Sequence, residues 1–198
     1  MLRVLGKASS INVRKVLWLC DEIGLPYERR DQGPELARNP NGLVPVIVDG
    51  DFVLWESHTI LRYLAGRHGA TGLLPQEPRR RAEVEQWIDW QATDLNSAWR
   101  YAFMALVRRD PAFDEPRQIA ASTATWNRLL SILDARLAAT QAFVAGADFT
   151  LADIPIGLSV NRWLMTPIER PALPAVQAYY ERLSARPTFL KHDRIGVY

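Results

Sequence analysis

The sequence predicts two units in series, an α/β unit of order β-α-β-α-β-β-α and then an all-α unit. Three observations lead there. Short apolar strand patterns alternate with helical ones as far as residue 68, an Asp-Gly corner at Asp49 and Gly50 separates two apolar runs, and beyond residue 75 no segment reads as a strand. The first unit is placed at residues 1–75 and the second at 82–198. A linker at about 70–81 joins them, where "GATGLLPQEPRR" gathers two glycines and two prolines.

The opening "LRVLG" is an apolar strand at 2–6, and "VRKVLWLCDEIG" carries the apolar pattern of a helix over about 12–24. A weak strand near 27–31 and a short helix at about 34–39 lead into a hairpin. There Val46, Ile47 and Val48 face Phe52, Val53, Leu54 and Trp55 across the Asp-Gly corner. Ile60, Leu61 and Leu64 recur at helical spacing in a helix over 57–68. Helical patterns then cover about 79–108, 115–139, 151–165, 172–185 and 187–193. Thr150 and Asp153 have the spacing of a capping box, with Phe149 and Ile154 as its hydrophobic staple.

Composition narrows the function. The 24 Lys and Arg against 22 Asp and Glu give a net charge of +2, and the cations are interleaved with acids, which argues against a nucleic-acid surface. The single cysteine, Cys20, cannot form an intramolecular disulfide; it fits a reducing cytosol and reads as a core residue of its helix. His58, His68 and His192 lack metal-ligand spacing, so no metal is expected, and no glycine-rich phosphate loop occurs. No secretion signal and no membrane-length apolar run is visible, which points to a cytoplasmic protein.

The candidate site centres on "GLVPVIVDGDFVLWESH". Pro45 has no N–H to give a ladder, so it fits the first residue of a strand, and it drives Val44 into an extended conformation with its main chain outside the sheet. Glu56 and Ser57 stand at a helix N-terminus, whose free N–H groups and positive dipole suit a carboxylate. Ser57 also reads as a plain N-cap and Glu56 as a first-turn acid.

The stretch "NPNGLVPVIVDGDFVLWESHTILRYLA", with the order of elements along nearly the whole chain, resembles the cytosolic glutathione transferases, and among them the bacterial, theta- or delta-like serine-type members. The resemblance implies a thioredoxin-like N-terminal domain that binds glutathione and a helical C-terminal domain that supplies the electrophile site. It also implies a cis bond before Pro45, antiparallel pairing of Val44 with the cysteinyl unit, and a γ-glutamyl site at Glu56 and Ser57. It places the thiolate-stabilising hydroxyl at Ser10 in "GKASSINVRKV", with Ser9 and Asn12 as alternatives. Asn12 reads as the simple helix cap, and Arg14 either assists the thiolate or is an exposed first-turn residue. Where many members carry lysine or glutamine for the glycyl carboxylate, this chain has Leu43, leaving Arg38 or Asn41 to substitute. A Cys-x-x-Cys pair is absent, so thioredoxin-type dithiol exchange is excluded.

For the electrophile, Arg100, Met104 and Arg108 recur at i, i+4, i+8 on one helix face, with Trp99, Tyr101 and Trp163 as an apolar wall. Two guanidinium groups beside a methionine suit a small acidic or polarised electrophile, such as a halogenated acid. The same residues read alternatively as core methionine and surface arginines. The expected activity is transfer of glutathione to a small electrophile by a twofold homodimer. A glutathione-dependent disulfide reductase and a non-enzymatic ligand- or partner-binding protein are the alternatives on the same fold.

Overall fold

The computed structural model describes residues 1–192, and its four strands form one sheet of order β2-β1-β3-β4. Strand β1 (Leu2–Leu5) pairs in parallel with β2 (Tyr27–Arg30), the crossover between them being helix α1 (Ile11–Glu22). On its other side β1 runs antiparallel to β3 (Val46–Asp49), which turns through the Asp-Gly corner into β4 (Phe52–Trp55). Gly50 takes the positive φ of 64° that such a corner asks of a residue without a side chain. The charged run Tyr27–Arg30 has little strand propensity and forms an edge strand through its pairing with β1. The short helix expected at 34–39 is a 3-10 turn, Pro34–Arg38.

Helix α2 (Ser57–Arg67) closes the α/β part. Helices α3 (Pro78–Trp90) and α4 (Asn96–Leu106) then form a continuous run joined by a π-helical stretch, Gln91–Leu95, where the sequence predicts one uninterrupted helix. They are followed by α5 (Pro116–Thr140), α6 (Asp153–Met165), α7 (Pro174–Ser184) and α8 (Pro187–His192). The final residue of the helix expected at 187–193 lies outside the described residues.

Helix α1 is the centre of the molecule, packed against β1, α2, α6 and α8. Val13, Val16, Trp18, Leu19 and Cys20 are wholly inaccessible, which is why its sequence shows no polar face. Burial pushes the Cys20 thiol up to about 12, making it a small hydrophobe with no thiolate at neutral pH. Gly157 permits close packing of α6 on α1, because a Cβ there would meet Leu183 at 2.8 Å and the Trp18 ring at 3.2 Å. The N-terminus of α6 is fastened by Asp153, whose carboxylate accepts from the main chain of Val144 (3.0 Å) and Thr150 (2.7 Å) and from the Tyr179 hydroxyl (2.9 Å). The acid thus makes its half of the expected capping box, and burial raises its pKa to about 6.

Candidate active site

A cleft of about 700 Å³ opens between the loop after β1, the loop before β3, and the inner faces of α4 and α6. Its first wall depends on Gly6. That residue has φ +133°, and a Cβ there would lie 2.6 Å from Val13 Cγ2 and 2.7 Å from Val44 Cβ. Only hydrogen fits, so the two loops can touch. Val44 lines the cleft just ahead of the ladder, which begins at Val46, and the Val44–Pro45 peptide bond is cis.

Ser10, Ser9 and Asn12 all line this wall. Ser10 holds the N-cap position of α1, with φ −74° and ψ 125°, and its carbonyl accepts the Arg14 N–H at 3.0 Å. Its hydroxyl makes no capping hydrogen bond. The cap expected at Asn12 is therefore Ser10, and Asn12 lies within the first turn. Arg14 is neither exposed nor part of the cleft lining: it is buried and donates to the His192 carbonyl at 3.3 Å.

Because Val46 pairs with Trp55, Pro45 and Glu56 lie together at that end of the sheet; neither they nor Ser57 belong to the lining of the cleft, which Val44 alone of the predicted glutathione-binding residues joins. Glu56 is the N-cap of α2, and its Oε1 accepts the His58 main-chain N–H at 3.3 Å and the Ser57 hydroxyl at 3.5 Å. Ser57 is the first helical residue and is buried. The roles read from the sequence are thus exchanged: the acid caps and the serine stands at the positive end of the helix. Glu56 has φ 75°, a conformation that costs a non-glycine residue about 1–3 kcal/mol and collects at binding sites. Its side chain remains 55% accessible.

Beneath Glu56 lies a buried polar cluster whose members come from separate elements, so no local motif joins them. Lys15 Nζ is 2.9 Å from His58 Nε2 and 3.2 Å from Gln91 Oε1, and Gln91 Nε2 donates to Ser159 Oγ at 2.9 Å. Burial lowers Lys15 to about 7, opposed by the nearby Glu56 carboxylate. Burial, with the Lys15 charge, lowers His58 to about 2, so its imidazole is neutral.

The second wall is made of side chains. Arg100 and Met104 of α4 line the cleft with Trp99 and Phe103 behind them, and Arg108 joins them from the turn beyond Leu106, where the helix expected to reach residue 108 has already ended. Arg162 of α6, which sequence reasoning missed, joins them: it is 4% exposed, and its guanidinium lies 4.2 Å from the ring centroids of both Trp99 and Phe103. Trp163, one residue on, points about 100° away and donates to Asn127 Oδ1 at 2.8 Å, so it forms no part of the wall. Tyr101 is likewise turned aside, against Phe113, its hydroxyl accepting the Glu115 N–H at 3.3 Å. Nor do Arg38 and Asn41 line the cleft. Both are exposed, and Asn41 is tied to Asn39 Oδ1 through its main chain (3.0 Å); Lys7, Asp31 and Gln32 line that side instead.

Comparison with known proteins places this geometry. Residues 5–75 match the family model "Glutathione S-transferase, N-terminal domain" and residues 96–187 match "Glutathione S-transferase, C-terminal domain". The chain is similar along its whole length to Glutathione S-transferase GstB of Escherichia coli, at 38% identity over 100% of both chains. It also resembles Glutathione S-transferase 3 of Zea mays, at 33% identity over 96% of this chain and 92% of that one. Among solved structures, a theta class glutathione S-transferase from Xanthomonas axonopodis pv. citri with glutathione bound superposes with a TM-score of 0.91. It is 37% identical and covers 100% of this chain and 99% of its own.

Proposed function

Since the chain belongs to the glutathione S-transferase family, we propose that its cleft binds glutathione along the first wall and presents the thiolate to an electrophile held on the second. The observation that carries this reading is Ser10, whose hydroxyl is uncommitted to capping, at the positive end of α1 on the wall that Val44 shares. A hydroxyl donor and a helix N-terminus both favour an ionised sulfur. In this reading Ser10 is the thiolate-stabilising serine, and the Val44 main chain pairs with the cysteinyl unit. The γ-glutamyl carboxylate sits at Ser57 on the α2 N-terminus, and the Glu56 carboxylate faces the α-ammonium. Sulfur then attacks the electrophilic carbon, and the leaving group departs with the bonding electron pair.

Four cations, Lys7, Arg100, Arg108 and Arg162, line the cleft against one acid, Asp31. That balance supports a small anionic or strongly polarised electrophile, a halogenated acid being the chemical type. The test is glutathione-dependent turnover against halogenated acids, aryl halides, epoxides, hydroperoxides and disulfides, together with thermal melts. Glutathione is expected to raise the melting temperature, and Ser57→Ala to weaken its binding by roughly 1–3 kcal/mol. A melt unmoved by glutathione overturns the reading. Turnover confined to mixed disulfides replaces transfer with reduction.

The same reading includes a homodimer in the cytoplasm. It is supported by the apolar side chains left on the surface around the hairpin, Leu43 at 65%, Phe52 at 44% and Trp55 at 37% accessible. Among the described residues no helix is long and apolar enough to cross a membrane. Light scattering should return twice the chain mass of 22.5 kDa; a single chain mass refutes the dimer.

A further inference from the structure

The hydrogen bonds of the buried cluster beneath Glu56 can be assigned donor by donor. Ser159 Oγ donates to the Pro155 carbonyl at 2.8 Å, so toward Gln91 it accepts from the amide Nε2. That turns Gln91 Oε1 to Lys15, as it must, since an ammonium has donors only. Lys15 in turn donates to His58 Nε2 at 2.9 Å. His58 is neutral, so with Nε2 accepting, the ring proton is on Nδ1. Nδ1 lies 3.9 Å from Glu56 Oε1, the oxygen that already accepts the His58 main-chain N–H. The donors diverge from Lys15: on one side they run through Gln91 and Ser159 into the helical half, and on the other through His58 toward Glu56, the glutamate with positive φ.

Resting on the reading that Glu56 and Ser57 take the γ-glutamyl group, we infer that Lys15 is a positioning residue for that subsite. It locks His58 as the Nδ1–H tautomer, whose N–H faces the Glu56 carboxylate and fixes it for the ligand's α-ammonium. A structural role alone gives no reason for an ammonium here. A methionine would fill the same volume without the cost of desolvating a charge. Burial works against the Lys15 charge, Arg162 adds to that, and Glu56 is the acid that favours it.

The test begins with the ligand-free protein at about pH 6, below the value of about 7 at which Lys15 loses its proton. Two-bond ¹H–¹⁵N correlations of the imidazoles, assigned with His58→Gln, are expected to show His58 protonated at Nδ1 in the parent. In Lys15→Met, Nε2–H or an exchanging mixture is expected. A parent protonated at Nε2 overturns the inference. Kinetics gives the second readout: Lys15→Met should raise KM for glutathione roughly ten- to a hundred-fold, the size of one lost hydrogen bond to a charged group. KM for the electrophile and kcat should stay within about two-fold. Unchanged KM for glutathione, or a fall in kcat alone, overturns it. Should Lys15→Met fail to fold, a pair at His58 decides. His58→Gln keeps an acceptor for Lys15 and a donor for Glu56 and should bind glutathione within about three-fold of the parent, whereas His58→Leu should lose as much as Lys15→Met; a His58→Leu protein that binds like the parent overturns the inference. Glu56→Gln and Ser57→Ala serve as the control on the underlying reading. If neither affects glutathione binding, the γ-glutamyl assignment fails by itself, while the tautomer measurement still judges the Lys15–His58 lock.

Discussion

The two walls of the cleft are built from different materials. The loop wall is set by backbone: Gly6 with no room for a Cβ, Ser10 at the N-terminus of α1, and Val44 beyond the end of its ladder. The helical wall consists of side chains on and next to regular helices, with Arg162 laid over Trp99 and Phe103, Arg100 and Met104 one turn apart on α4, and Arg108 just past its end. Backbone geometry is costly to alter, because neighbouring groups determine it jointly. Side chains on a helix exchange with little effect on the fold. One scaffold can therefore keep its thiol chemistry constant while the electrophile it accepts changes.

The largest expected effect breaks the loop wall. Gly6→Ala would place a methyl within 2.7 Å of Val13 and Val44 at a φ of +133°, so overpacking and backbone strain together should cost roughly 2–5 kcal/mol. Urea unfolding measures it, and a midpoint equal to the parent's shows that the loops need not touch. Next comes Ser10→Ala, expected to raise the pKa of bound glutathione by about one to two units through loss of roughly 1.5–3 kcal/mol of bonding to the thiolate. The thiolate absorbance near 240 nm reports it. If Ser9→Ala or Asn12→Ala moves the titration instead, the hydroxyl or amide that faces sulfur is there.

How much of this division is written in the chain depends on range. The hairpin corner, Pro45, the helix start at Glu56 and Ser57 and the fastening at Asp153 are short-range patterns, and each falls within a residue or two of its expected place. Arg108 reaches the cleft from the turn just past α4, where the sequence pattern carries the helix two residues too far, while Arg100 and Met104 were readable because a single helix sets their spacing. Arg162 was not, since it enters the cleft only through the packing of α6 under α4, and the choice of Trp163 missed that face by one residue. Lys15 and its partners come from α1, α2 and the π-helical stretch, so no local pattern joins them. One sign was present: in "VRKVLWLC" two cations interrupt a helix with no polar face, which obliges them to find partners inside.

A smaller effect concerns the base beneath both walls. Lys15 titrates near 7 in the folded protein and near 10.5 when unfolded. Between those values the unfolded chain binds the extra proton, so stability should rise with pH, by at most about 1.4 kcal/mol per pH unit. Below the lower value the slope from this group vanishes and the cost of the buried charge is present in full. Chemical denaturation across neutral to alkaline pH should show the rise in the parent and its loss in Lys15→Met; equal slopes mean that Lys15 is not buried as a titrating group. The smallest effect tests the side-chain wall. Arg100→Ala and Arg108→Ala, both solvent-exposed, should each weaken an anionic electrophile by about 1 kcal/mol or less and leave glutathione affinity unchanged. Equal losses for anionic and neutral electrophiles would assign these arginines to shape rather than charge.

The π-helical stretch between α3 and α4 gives the cleft a further property. A π turn holds an extra residue, and each residue advances a helix by about 100°. Upstream of it the rod keeps Val84 and Ile88 toward the interior; downstream it turns Arg100 and Met104 toward the opening. The insertion therefore acts as a phase offset between a half that is locked to the fold and a half that meets the substrate. Removing one codon from this stretch would re-index the entire row of α4 without changing the identity of any other side chain, so that Tyr101 and its neighbours, now turned away, would come to face the incoming electrophile.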